Sequence, residues 1–343
     1  MDFNLTATQQ AVADVVTSVL DRELTWAALV DGGVTALPVP ERLGGDGVGL
    51  PEVATVLTEV GRHGAVTPAL ATLGLGVVPL LDLASEEQQD RFLAGVAKGA
   101  VLAAALNEPG AALPDRPATT FADGRLSGTK IGVGYAEQAE WVIVTTDSAV
   151  VVVSPKAEGV RLVRTPTSNA SEEYTVSFDG VAVPDSDVLA GASAHRVNQL
   201  ALAAMGAYAD GLVAGALRLT ADYVANRKQF GKPLSTFQTV AAQLSEVYIA
   251  SRTINLAAKS VVWRLSERGG SAPQVEADLD VLGYWVTSQA PPVMQTCHHL
   301  HGGMGMDITY PMHRYYSTIK DLTRLLGGPL QRLELVGAQC SSN

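Results

Sequence analysis

Aromatic side chains are scarce, at 6% of 343 residues, and cysteine occurs only twice, at Cys297 and Cys340. Neither cysteine belongs to a CxxC pair, which excludes a disulfide scaffold and fits a reducing compartment. Basic residues are in the minority: 24 Lys and Arg stand against 35 Asp and Glu, a net charge of −11, and no basic stripe offsets it. A polyphosphate backbone would be repelled, so no nucleic-acid partner is expected. Long uninterrupted apolar runs are also missing. The most apolar stretch, Val66 to Leu81, is broken by Pro68 and Pro79 and makes a poor membrane span, so no membrane association is expected. The opening Met-Asp-Phe-Asn-Leu-Thr has neither the cationic nor the apolar part of a leader, so the expected location is cytoplasmic.

What the chain does have is aliphatic bulk. Hydrophobic residues make up 47% and charged ones 17%, which excludes a disordered chain. Ala, Val, Leu and Gly dominate, a composition suited to close helix packing. The length corresponds to two or three structural units with a large common core.

Residues 1–100 read as helical. Thr6-Ala-Thr-Gln9 and Ser85-Glu-Glu-Gln88 are capping-box patterns. After the first, Val12, Val15, Val16, Val19 and Leu20 fall on one face at helical spacing. Leu43-Gly-Gly-Asp-Gly-Val-Gly49 is a glycine-rich turn. Over 101–190 the period changes. Ala139–Thr146 and Ala149–Ser154, split by Asp147-Ser148, read as a hairpin of buried strands, with further strands at Gly159–Arg164 and Tyr174–Phe178. A small β-barrel or sandwich is expected there. Residues 191–343 are helical again, with long runs at about 195–226, 237–268 and 274–300. Pro291-Pro292 is expected to kink or interrupt the third run, because each proline lacks an N–H and crowds the preceding turn.

Gly44–Gly49 and Gly302-Gly-Met-Gly305 do not form GxGxxG after a strand, and no GxxxxGK[ST] occurs, which argues against Rossmann and P-loop nucleotide sites. Taken alone, each cluster reads as a turn. Cys297-His-His-Leu-His301 looks like a metal cluster, since Cys297 and His301 share a helix face. Adjacent residues nevertheless diverge by ~100° on a helix, and no carboxylate follows before Asp307, so no metal is expected. There is no G-x-S-x-G nucleophile elbow. Arg227-Lys-Gln-Phe-Gly231, followed by Leu234 and Phe237-Gln238, has two readings. One is a solvated helix end whose cations suit the dipole. The other is an arginine placed to fork onto a pyrophosphate beside an apolar ring.

Taken together, the segments resemble the acyl-CoA dehydrogenase flavoprotein family over nearly the whole chain. The matching stretches are Leu37-Pro-Val-Pro-Glu-Arg-Leu-Gly-Gly-Asp-Gly47, Asn107-Glu-Pro-Gly110, Phe178-Asp-Gly-Val-Ala-Val-Pro184, Arg227–Gln238, His301-Gly-Gly-Met-Gly-Met306 and Tyr310-Pro311. The resemblance implies an α+β fold: an N-terminal helical domain over 1–100, a middle β-barrel or sandwich over 101–190, and a C-terminal four-helix bundle domain over 191–343. More narrowly, the short length and the ending Asp321-Leu-Thr-Arg-Leu-Leu-Gly-Gly-Pro329 resemble the non-catalytic subunit of actinobacterial α2β2 enzymes. Those complexes desaturate cholesterol-type steroid side chains held as CoA thioesters.

Such chemistry needs a carboxylate in a dry pocket to take the α-proton while the β-hydrogen leaves as hydride to a flavin. The family keeps that Glu in one of two places, and this chain has it in neither. One corresponds to Leu325-Leu-Gly-Gly-Pro329; the other, 29 positions before Phe230, is Ala201, between Leu200 and Leu202. Asp210 and Glu334 match neither place. The family's Trp-x-Thr beside the flavin ring is replaced by Gly132-Val-Gly134, and its Gly-Ser-Asp by Ala112-Leu-Pro-Asp115. Its CoA-holding Asp and Arg fall at Gln199 and Leu202. No catalytic residue is therefore expected in this chain.

The residues that a neighbouring subunit lends to FAD in this family do have counterparts. They are Arg227, Gln229, Phe230, Leu234, Gln238, His299, Gly302 and Gly303. The resemblance implies an FAD shared with a catalytic acyl-CoA dehydrogenase subunit, with the acyl-CoA held mainly by that partner. Two alternatives stand beside it: a self-sufficient dehydrogenase with a displaced base at Asp307 or Glu137, and a flavin-free interaction subunit.

Overall fold

Helix formation begins where Thr6 can cap it. In the computed structural model, which describes residues 3–267 and 272–341, Gln9 N–H donates to Thr6 Oγ1 at 3.2 Å and Thr6 N–H to Gln9 Oε1 at 2.9 Å. This reciprocal cap starts α1 (Ala7–Leu20). Val12, Val16, Val19 and Leu20 are buried as expected, but Val15 is 42% exposed because it stands at the rim of that face. α2 (Trp26–Asp31) and α3 (Leu50–Arg62) follow. Between them Gly45 passes beneath the carbonyls of Ala36 and Val39, where any side chain would collide. The apolar segment becomes a π-helix (Leu70–Val77) running into α4 (Val78–Leu83). The second predicted capping box, Ser85–Gln88, opens α5 (Glu86–Phe92).

The middle of the chain forms β1 (Val101–Ala105), β2 (Thr120–Ala122), β3 (Arg125–Gly134), β4 (Ala139–Thr145), β5 (Val150–Val153), β6 (Val160–Thr165) and β7 (Glu173–Ala182). They build two sheets, ordered β1-β4-β5 and β2-β3-β7-β6. The predicted hairpin is the antiparallel β4–β5 pair, while β1 joins β4 in parallel. Ala103 and Val142 from one sheet meet Leu126, Val176 and Phe178 from the other in a common apolar layer, so the unit is a sandwich.

A buried ion pair ties the sandwich to the loop that follows β1. Lys130 Nζ lies 2.9 Å from Glu108 Oε1, with side chains 0% and 6% exposed. Glu108 also accepts hydrogen bonds from the N–H groups of Ala118 and Thr119 and from Thr119 Oγ1. Burial pushes its carboxyl up, but Lys130, Thr119 and the backbone donors outweigh burial and hold it at about 2.

The C-terminal part is built on α6 (Ala194–Asn226), which packs against α3 on one side. Two short strands, β8 (Lys228–Gln229) and β9 (Lys232–Pro233), lead to α7 (Gln238–Glu267), α8 (Ala272–His301), a 3-10 turn (Gly302–Met306), α9 (Met312–Leu325) and α10 (Gly328–Ser341). α6 to α9 pack as a bundle with α10 laid on α8. By length and hydropathy α6 could cross a membrane, yet 89% of its most apolar window is buried, as in a core helix. The expected interruption at Pro291-Pro292 does not occur: α8 runs through both prolines. Ala290, Val293, Met294 and Cys297 are buried there, and their packing outweighs the two missing amide bonds.

Candidate functional site

α6 stops because Arg227 leaves the helical region at φ −74°, ψ 122°, while its N–H still donates to Tyr223 O at 2.8 Å. The chain then reverses within a two-residue hairpin loop, since Gln229 pairs with Lys232. Both loop residues have positive φ, 52° at Phe230 and 81° at Gly231. That geometry suits the strand twist but is strained for a phenylalanine. Leu234 N–H donates to Arg227 O at 2.8 Å and closes the hairpin. Phe230 is 91% exposed, with its ring at right angles to Phe237, 6.2 Å away. Arg227, Gln229 and Gln238 are exposed and Leu234 is half-buried. Arg227 makes no ion pair among the described residues.

The second group sits at the end of α8. His299 is exposed. Gly302 has φ 56°, and neither Gly302 nor Gly303 has an atom within 4 Å of where a Cβ would stand. The two groups are linked by Tyr223, which stacks on buried His301 at 4.6 Å and packs edge-on against Tyr310. His301 Nδ1 lies 2.7 Å from Cys297 O; a carbonyl only accepts, so Nδ1 carries the proton. The eight predicted residues thus lie on two neighbouring segments at one end of the bundle. Tyr223, which joins them through His301, is absent from the sequence-based site residues, although it stands one helical turn before Arg227.

Cys297 is fully buried, and burial pushes its thiol up to about 11 despite a hydrogen bond with Thr220. Among the described residues no three His, Cys, Asp or Glu side chains are disposed to hold a metal. The side chain of Cys340 lies outside the described residues.

A different picture holds around Gly132-Val-Gly134. Gly132 has φ 69°, and a Cβ there would stand 2.6 Å from Leu325 Cδ2. Asn107 Nδ2 donates to Leu325 O at 2.8 Å, and Arg324 Nη2 to Glu173 Oε2 at 2.5 Å. Asp321 accepts the N–H groups of Ser168 and Asn169, both at 3.0 Å. The end of α9 is therefore locked down onto β3 and β7. The cavity left there, bordered by Leu70, Gly134 and Tyr135, holds about 90 Å³. Ordinary ligand pockets begin at ~300 Å³, so a fused aromatic ring system does not fit. The exposed arginine and the open glycines of the first face do suit a phosphate.

Glu172, Glu173 and Asp321 line this cavity, which the sequence patterns did not indicate. Glu173 and Asp321 are committed to the bonds above, and Glu172 accepts from Tyr174 OH at 3.3 Å. Ala201 is fully buried and offers no proton acceptor. Asp210 lines another cavity and is held by Asn255 Nδ2 at 2.8 Å; Glu334 is exposed. Glu137 is exposed and accepts from Tyr174 OH at 2.6 Å. Asp307, also exposed, accepts from Thr309 N and Oγ1, both at 2.8 Å. Neither borders the cavity. Gln199 and Leu202 line a separate cleft, where Gln199 donates to Glu276.

Residues 6–100 match the acyl-CoA dehydrogenase N-terminal domain and residues 196–339 the acyl-CoA dehydrogenase C-terminal domain. The chain is 81% identical to acyl-CoA dehydrogenase FadE28 of Mycobacterium tuberculosis over 99% of both sequences. Among solved structures, the ChsE4-ChsE5 complex from Mycobacterium tuberculosis is similar at TM-score 0.91 and 27% identity, covering 100% of both chains. The Tcur3481-Tcur3483 steroid ACAD is similar at TM-score 0.89 and 28% identity, covering 97% of this chain and 98% of the other. On the two matched domains and these full-length likenesses, the protein belongs to the acyl-CoA dehydrogenase family.

Proposed function

We propose that this chain is the non-catalytic subunit of a heteromeric, FAD-dependent acyl-CoA dehydrogenase that desaturates steroid side-chain CoA thioesters. It acts in the cytoplasm as an α2β2 assembly. The observation that carries the reading is the contrast between the chain's two candidate flavin faces. Leu325 and the Arg324–Glu173 pair fill the ring side, whereas Arg227, Phe230 and the Gly302-Gly303 turn are presented to solvent. A chain that served its own flavin would have little use for the second face without the first.

In this reading the partner supplies the base, the ring pocket and the thioester site. FAD, when bound, supplies the hydride-accepting chemistry. Arg227 forms a charge-assisted fork to the pyrophosphate, and Gly302 and Gly303 allow their backbone N–H groups to approach it closely. Phe230 offers an apolar platform, while Gln229, Leu234, Gln238 and His299 border it. The likeness to the ChsE4-ChsE5 complex and to the Tcur3481-Tcur3483 steroid ACAD, each named for two components, supports the heteromer, and the second of these, named a steroid ACAD, supports the steroid substrate class. The exposed positions of Glu137 and Asp307, away from the ring-side cavity, disfavour a displaced base.

The test is flavin content. The chain purified alone is expected to be colourless, and its complex with a co-expressed acyl-CoA dehydrogenase to carry one FAD per pair of unlike subunits. Arg227→Ala should strip the complex of flavin without dissociating it. Stoichiometric flavin with dehydrogenase turnover from the isolated chain would overturn the reading.

A further inference from the structure

The cleft between residues 111–115, α6, α8 and α10 holds about 660 Å³, well within the ~300–1,000 Å³ of ordinary ligand sites. Two residues of its wall, Arg332 and Asn198, each carry a buried polar atom, Nη2 and Oδ1, that has no hydrogen-bond partner among the described residues. Arg332 is 4% and Asn198 7% exposed. Arg332 spends Nε on Leu326 O at 2.8 Å. Asn198 Nδ2 donates to the carbonyls of Leu113 and Pro114 at 3.0 and 3.1 Å. Both of those partners only accept, so the amide orientation is settled and Oδ1 is the atom left over. Buried donors and acceptors are normally satisfied. This wall therefore has one vacancy for an acceptor and one for a donor.

The charges around the cleft narrow the choice. Asp115, Glu276 and Asp280 line it together with Arg332 and His195. His195 lies between two of them, with Nδ1 3.1 Å from Asp115 Oδ1 and Nε2 3.0 Å from Glu276 Oε1. Burial pushes the Asp280 carboxyl up to about 6, Glu276 and Asp115 add to this, and Arg332 and Gln339 oppose it. An entering anion would meet the same field. Leu113, Pro114, Leu202, Leu279 and Leu335 give the wall its apolar part, and the uncharged Gln199, Gln331 and Gln339 complete it.

We propose that this cleft binds an uncharged, apolar-bodied molecule that brings a carbonyl oxygen to Arg332 and a hydroxyl or N–H to Asn198, and that it rejects polyanions such as coenzyme A. The assignment uses none of the residues offered to the flavin, so it stands or falls separately from the subunit reading. Isothermal titration of the full chain, with its partner subunit where the two co-purify, would use testosterone as a rigid neutral ketone-alcohol and coenzyme A as the polyanion. The expected result is saturable testosterone binding at one site per copy of this chain, at least tenfold weaker in Arg332→Met, and no coenzyme A binding at this site. Ala277→Trp, which fills the cleft from its half-buried wall, should abolish the testosterone site and decides the matter if Arg332→Met fails to fold. Absence of saturable testosterone binding, binding that survives Ala277→Trp, or coenzyme A binding that Ala277→Trp removes would each overturn the proposal.

Discussion

Tyr223 stacks on His301 with ring centroids 4.6 Å apart and planes inclined by 28°. This contact pins the last turn of α6 to the last turn of α8, so the arginine hairpin and the glycine turn that follow them are held at one end of the bundle.

A consequence for flavin can be measured. Tyr223→Phe keeps the stack and should keep the cofactor. Tyr223→Ala removes the ring that positions the hairpin base and should weaken FAD retention by the complex roughly tenfold, or ~1.4 kcal/mol. Absorbance at the flavin band against total protein reads the difference; equal flavin in both variants would separate the stack from cofactor binding.

The Glu108–Lys130 pair makes a prediction about stability. Lys130→Met leaves a carboxylate buried without its counter-charge, which typically costs ~3–5 kcal/mol. Adding Glu108→Gln should recover most of that loss, as read from urea midpoints. The pH dependence follows from the depressed carboxyl. Its contribution is present above the ordinary carboxylate range and is lost as pH falls towards about 2. In Lys130→Met the acid limb should move to higher pH.

Asp210 carries the opposite sign. It is 4% exposed, and burial pushes its carboxyl up to about 6 although Asn255 and nearby cations oppose the shift. The folded protein therefore holds this proton more tightly than the unfolded chain, so the stability it lends is fully present below the ordinary carboxylate range and is lost as pH rises towards about 6. Asp210→Asn still offers an oxygen to Asn255. It should raise the melting temperature at pH ~8 and leave it unchanged at pH ~4, where the native carboxyl is already protonated. A fall at both values would mean that the carboxylate itself is required.

Local structure was legible where its cause is local. Thr6–Gln9 and Ser85–Gln88 cap helices because each box is satisfied within four residues, and the β4–β5 hairpin follows from adjacent apolar runs. The candidate flavin face is named only through the resemblance to a known family, because the spacing of Arg227–Gln238 alone suits a solvated helix end equally well. What escaped notice depends on residues far apart in the chain. Leu325 descends on Gly132 from the end of α9, and Lys130 reaches Glu108 from a neighbouring strand; no periodicity encodes either meeting. The parallel partner of β1 was hidden for the same reason. Pro291-Pro292 is a local helix-breaking signal, and the buried Ala290, Val293, Met294 and Cys297 that hold α8 in place act through contacts that no local pattern carries.

α6 is covered by α3 on one flank, but α7 and α8 clothe the other. During synthesis α3 already exists when α6 emerges, whereas α8 is complete only at His301. At ~5–20 residues per second the ribosome leaves one oily flank of a 33-residue helix bare for several seconds. That interval is when the nascent chain most needs a chaperone, and slowing translation beyond Asn226 should cost soluble yield more than slowing it anywhere before Ala194.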